Sequence, residues 1–157
     1  MMKIWRRFLA GAVMLTMLAI LTGCGLFSLE SETQTLEQVE SFTGAELPTE
    51  ATGIYHEVGG FQDTIIWLRF DAAPDAVEAY LTALGFEEPL TDGGAGSFLP
   101  NAPKTVRWWV DRDAVEAGTG DFIGAAYSNL EANRFFQVLV DASDAELWRV
   151  YLIAFNT

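Results

Sequence analysis

The strongest constraint on the fold of this chain is one amphipathic helix that the sequence predicts between Pro74 and Leu84. Its apolar residues recur at positions i, i+3, i+4 and i+7 and form a single stripe of Val77, Tyr80, Leu81 and Leu84. Proline is favoured in the first turn of a helix, and Gly85 is a natural stop at the other end. Because the stripe must be buried, this helix has to pack against a layer that the rest of the chain provides.

Runs rich in β-forming residues flank the helix on both sides and can supply that layer. They are predicted at residues 53–58, 64–70, 106–111, 122–128, 135–141 and 147–155. Turn signals at residues 59–63 and 142–145 join the first two runs and the last two as hairpins. The pattern therefore predicts an α+β fold, with a largely antiparallel sheet of about five to six strands and one helix packed on a face.

The N-terminus has the three parts of a secretory signal in the order that export requires. Three basic residues come first, namely Lys3, Arg6 and Arg7. An uncharged apolar core at residues 8–21 follows, and the sequence LTGC ends it at Cys24. This arrangement resembles the lipobox of bacterial lipoprotein precursors. The alternative is an uncleaved N-terminal anchor helix, although the core is shorter than the roughly 20 residues that span a bilayer.

The resemblance implies that residues 1–23 are a signal peptide and that Cys24 carries the lipid. Cys24 is the only cysteine in the chain, so lipidation would leave no thiol for a disulfide, a metal or catalysis. The folded part would then depend on its core alone. Gly25 stands where an aspartate would favour the inner membrane in the enterobacterial sorting pattern. The expected location is therefore extracytoplasmic, lipid-anchored to the cell membrane or the outer membrane.

The segment after the lipobox is polar and predicts a tether. Residues 24–47 hold four glutamates before residue 41 and few large apolar groups. A single globular domain is predicted to follow at residues 48–157. The alternative for part of the tether is a short helix at residues 35–42, because Leu36, Val39 and Phe42 recur every three residues and Gly44 could end it.

The charge of the chain excludes one class of partner. The formal net charge is −13, and removal of the three basic residues of the signal peptide lowers it to −16 because all 22 acidic residues lie after the cut. Such a surface repels nucleic acid and anionic headgroups, so no nucleic-acid role is predicted. Membrane affinity must come from the lipid on Cys24.

No motif in the sequence predicts a catalytic residue, a metal site or a cofactor. His56 is the only histidine, which excludes a multi-histidine metal site. The glycine clusters at residues 93–96 and 118–120 match neither phosphate-binding pattern and predict turns. Two acidic clusters lack the spacing of a calcium loop and predict turn roles: Asp111, Asp113 and Glu116, and Asp141, Asp144 and Glu146.

The pair Trp108-Trp109, preceded by Arg107, is the most unusual local feature. On a strand, one ring would enter the core and the other would face outward, where it could contact a ligand or partner. The flexible loop predicted at residues 87–104 lies next to this pair. The sequence therefore favours a non-enzymatic binding or interaction module that contacts an envelope protein or ligand. The alternative is a hydrolase of cell-envelope polymers that uses paired carboxylates.

Overall fold

The computed structural model describes residues 35–60, 62–92, 102, 106–118 and 120–157. The predicted signal peptide, Cys24, the first part of the tether and the glycine cluster at residues 93–96 lie outside the described residues. Among the helices of the described part, none has the length and apolarity that a bilayer span requires.

A five-stranded antiparallel sheet forms the centre of the fold. The elements in chain order are α1 (Leu36–Thr43), β1 (Thr52–Gly59), β2 (Ile65–Ala72), α2 (Pro74–Leu84), α3 (Arg112–Glu116), β3 (Phe122–Asn129), β4 (Arg134–Asp141) and β5 (Trp148–Phe155). The strand order is β1-β2-β5-β4-β3, so the two predicted hairpins are joined by the pairing of β2 with β5. The predicted α+β class is confirmed.

The α2 helix has the predicted bounds and buries the predicted stripe. Pro74 lies in the first turn, and Gly85 ends the helix with a φ of 101°. All four stripe residues are buried against one side of the sheet, which we call the helical face and which includes Leu68, Phe70, Val138 and Leu152. The edge of the Tyr80 ring packs against Phe70 at 5.2 Å between centroids. Burial raises the pKa of Tyr80 far above its ordinary value, so this phenol stays neutral.

The α1 helix, which the sequence offered only as an alternative to the tether, is part of the folded core. Thr35 and Gln38 form a capping box, in which the Thr35 backbone N–H donates to Gln38 Oε1 at 2.9 Å. Val39 is completely buried in the helical-face core, and Ala45 is buried as well. The folded part therefore begins before Pro48. The apolar residues of α1 bury their surface against the sheet, which they could not do in an extended tether.

The predicted strand at residues 106–111 is wrong. Residues 107–109 form a turn, in which the Trp109 N–H donates to the Val106 carbonyl at 3.4 Å, and the short helix α3 follows at Arg112. The turn brings Val106 and Trp109 onto the same apolar surface. A strand would have sent alternate side chains to opposite sides, and only one set would have been buried. Burial of this segment against the sheet therefore favours the turn.

Candidate functional site

The 106–110 segment covers part of the sheet surface opposite the helical face, which we call the second face. Two small apolar clusters form there, one around Trp67, Val106 and Ile153 and one around Val115, Leu139 and Tyr151. The sheet is thus buried on both sides, which agrees with the apolar character of both faces of β2.

Both tryptophans of the predicted contact pair lie in these clusters. Trp108 and Trp109 are each partly buried, so the expected division into one buried and one exposed ring does not occur. Trp108 stacks on Tyr55 at 5.8 Å, and Trp109 meets Tyr151 edge to face at 5.4 Å. The two indoles also contact each other at 5.7 Å. These rings serve chiefly as a cover for the second face.

An ion-pair network lies on the same face and was not identified from the sequence. Asp71 is the only acidic residue of the described part that is buried. It accepts a hydrogen bond from Arg149 Nε at 2.8 Å and lies 3.5 Å from Arg69 Nη2. The bond to Asp71 raises the pKa of Arg149. The Arg69 guanidinium also lies over the Tyr55 ring at 5.2 Å. Two arginines therefore surround this carboxylate and balance its charge.

Three buried N–H groups on the second face find no acceptor among the described residues: Trp67 Nε1, Trp109 Nε1 and Arg69 Nε. Each of these atoms is shielded from solvent, so together they do not form an open site.

An open groove lies on the other side of the molecule, beside the end of α2. Its volume is about 530 Å³, within the range of about 300–1,000 Å³ that is typical of small-ligand sites. The groove is lined by Glu78, Leu81, Thr82, Phe86, Glu87, Glu88, Pro89, Leu90, Ile123 and Trp148. Leu81 and Phe86 are buried and provide an apolar floor, while Ile123 and Trp148 are partly buried.

The rim of the groove is acidic. Glu78, Glu87 and Glu88 are exposed, and none of the described residues that line the groove is a lysine or an arginine. The ion pairs of the described residues use Asp71 and Glu116 instead. Three carboxylates thus border an apolar recess without any ion pair among the described residues to neutralise them.

Backbone hydrogen bonds hold both ends of the segment that forms one wall, residues 86–90. At its start, the Phe86 N–H donates to the Leu81 carbonyl at 3.0 Å. At its end, Thr91 and Gly124 exchange N–H···O bonds of 3.1 and 3.0 Å. This wall also borders a second recess of about 520 Å³, which extends to Tyr127 and Ser128. Backbone hydrogen bonds therefore anchor the wall at both of its ends.

The two predicted acidic clusters have local structural roles. Asp111 Oδ1 accepts from the Asp113 N–H at 3.0 Å and caps α3, and Arg112 pairs with Glu116 at 2.6 Å. Asp141 and Asp144 accept hydrogen bonds from backbone N–H groups of the turn before β5. Among the described residues, no group of histidine, cysteine, aspartate and glutamate could hold a metal ion. His56 is partly buried on β1 opposite Leu68.

The sequence pointed to the neighbourhood of the groove but not to the groove itself. Its wall belongs to the predicted loop at residues 87–104, and the acidic pair Glu87-Glu88 before Pro89 was the available signal. Trp148 comes from the start of β5, far away in sequence, and only the fold brings it there. No family model, no curated protein and no solved structure matches this chain.

Proposed function

We propose that this chain is a lipid-anchored binding module of the bacterial envelope, located outside the cytoplasmic membrane, and that its ligand or partner contacts the groove beside α2. The lipid on Cys24 would hold the module at the membrane, since stable anchoring of this kind takes two or more acyl chains. The observation that carries the binding role is the groove, with its apolar floor and its acidic rim.

The rigidity of the groove supports this proposal. Hydrogen bonds secure the wall at Phe86 and at Thr91, so a ligand would not have to order this segment. A pre-formed site loses less entropy on binding and therefore binds more tightly for the same contacts. The contact role predicted for Trp108 and Trp109 stays a prediction, and their packing on the second face favours the groove as the main surface.

Site-specific photo-crosslinking in cells tests where the module makes contact. A photoreactive phenylalanine replaces Leu90 in the groove, Trp108 on the second face or the exposed Ala145 in the turn before β5. Adducts with a protein or with a small molecule are both detected, by gel mobility and by the intact mass of the purified chain. We expect a specific adduct from position 90 and none from position 145. An adduct from position 108 alone would move the site to the second face. If all three positions give no adduct, the binding role is wrong.

The hydrolase alternative is tested with the same chain and purified envelope polymer. Release of soluble fragments, abolished by replacement of a single glutamate or aspartate, would favour an enzyme. Binding of the polymer or of another envelope component without release of fragments would favour the module.

A further inference from the structure

The groove beside α2 combines negative charge, aromatic surface and a buried apolar floor. It joins three carboxylates that form no ion pair among the described residues, Trp148, and the floor of Leu81 and Phe86. Another recess, lined by Glu46 and Glu50, has an alanine-rich wall of Ala76, Ala79 and Ala83 and a smaller volume of about 440 Å³. That recess serves as a comparison site, because it also has two carboxylates but its apolar residues are different.

We infer that the groove binds a small organic cation, an amine or quaternary ammonium that carries an apolar body. This inference rests on the proposed function, because it names the ligand class of the same groove. The apolar body would cover Leu81 and Phe86, and the cationic head would lie among Glu78, Glu87 and Glu88.

Charge complementarity identifies the cationic head. An anionic ligand would meet three carboxylates, and the described lining of the groove offers it no lysine or arginine. A neutral ligand would gain binding free energy from the apolar floor but none from the charges of the rim. A cation gains from both, and it can also interact with the indole of Trp148, since tryptophan is the aromatic side chain that attracts cations best.

The size of the groove identifies a small ligand rather than a folded partner. A volume of about 530 Å³ matches a concave small-ligand site. A stable protein interface needs about 800 Å² from each partner and is usually flatter. The wall at residues 86–90 contributes residues both to this groove and to the recess beside Tyr127.

Three probes of the same shape and different charge test this inference: phenylpropylamine, phenylpropanol and phenylpropanoate. Binding to the full chain in non-ionic detergent is measured by ligand-detected NMR, and partition into micelles alone is subtracted. We expect the amine to bind at least about fivefold more tightly than the alcohol and the acid to bind most weakly, because exposed ion pairs and cation–π contacts are individually modest. Equal binding of amine and alcohol would overturn the cationic class.

Matched double substitutions separate the groove from the general negative charge of the protein. Glu87→Gln with Glu88→Gln removes two rim charges, and Glu46→Gln with Glu50→Gln removes two charges from the comparison recess. We expect the first pair to weaken amine binding about fivefold and the second to change it less than twofold. An equal loss from both pairs would show attraction to net charge rather than to this groove.

A groove-filling substitution distinguishes failure of this inference from failure of the proposed function. Thr82 is exposed and lines the groove, so Thr82→Trp should fill it while the melting temperature confirms folding. If amine and alcohol bind equally and both are lost in Thr82→Trp, the groove is a binding site but not for cations. If no probe binds, or if Thr82→Trp changes nothing, both the ligand class and the site at the groove are wrong.

Discussion

At the scale of single residues, Gly85 connects the helix to the groove. Its φ of 101° lies in the left-handed region, and the Phe86 that follows forms part of the groove floor. A Cβ atom at this position would come within 2.8 Å of the Tyr127 ring. That ring is held by contacts with Phe86 and Phe136, so it cannot move away freely. Glycine is therefore required for both backbone geometry and space.

We expect Gly85→Ala to destabilise the protein more than Gly118→Ala. Both glycines have a left-handed φ, but a Cβ on Gly118 would meet nothing within 4 Å. The control should lose about 1–2 kcal/mol from backbone strain, and Gly85→Ala should lose at least about 1 kcal/mol more through the clash with Tyr127. Urea denaturation measures both. Equal losses of stability in the two variants would mean that the Tyr127 ring moves aside without a cost in free energy.

The lipid anchor is also a single-residue prediction. Cys24→Ser should block lipidation and leave an unprocessed precursor, because serine offers no sulfur for the thioether. Incorporation of labelled palmitate and electrophoretic mobility measure this, with the unsubstituted chain as the control. Labelling of the serine variant at the level of the parent would refute the lipoprotein interpretation.

At the scale of elements, the two longer helices bury their apolar residues on one face of the sheet. The stripe of α2 includes Leu81, whose side chain also forms part of the groove floor. The α1 helix contributes Val39, which is fully buried in the same core. Both helices end at a glycine with a left-handed φ, Gly44 and Gly85. The residue at the helix end therefore determines where the chain changes direction.

Leu81→Ala should lower the free energy of unfolding by about 2–5 kcal/mol, because it leaves a cavity under α2. Thr82→Ala on the exposed side of the same helix is the control and should change stability by less than about 0.5 kcal/mol. Thermal and urea denaturation give both values. A small effect of Leu81→Ala would show that the buried face of α2 lies elsewhere.

At the scale of the whole molecule, the second face is covered by turn and loop residues together with Val115 of the short helix α3. Its cover consists mainly of aromatic rings, and the ion pair of Asp71 with Arg149 lies at one end of β2 and β5. The opposite face carries both longer helices and the groove. The helical side thus carries the groove, while aromatic rings cover much of the described second face.

The described domain should fold without lipid or disulfide, provided that α1 is present. We expect residues 34–157 to unfold cooperatively in reducing buffer with a stability of roughly 5–15 kcal/mol. Residues 45–157 lack Val39 and should be less stable by about 2 kcal/mol or more, since a buried side chain is removed together with its helix. Circular dichroism and urea titration of the two fragments measure the difference. Equal stability would mean that α1 does not complete the core.

The periodicity of apolar residues was sufficient to predict most individual elements. The helix at residues 74–84 and the strands around residues 53–58, 64–70, 122–128, 135–141 and 147–155 are present with small shifts at their ends. This information is local, because the spacing of apolar groups and the positions of proline and glycine act within a few residues. The same reasoning assigned Val106 to Asp111 to a strand, since a β-rich composition cannot distinguish a strand from a turn that buries the same side chains.

The sequence by itself therefore determined most of the elements, the α+β class and the strongly acidic character of the protein. Only the tertiary structure decided the pairing of β2 with β5, the burial of Val39 and the bond between Asp71 and Arg149. The groove also depends on the tertiary structure, because the fold has to bring together Glu78 of α2, Glu87 of the following wall and Trp148 of β5. Contacts between residues so far apart in the chain depend on the strand order β1-β2-β5-β4-β3, which local apolar periodicity does not specify.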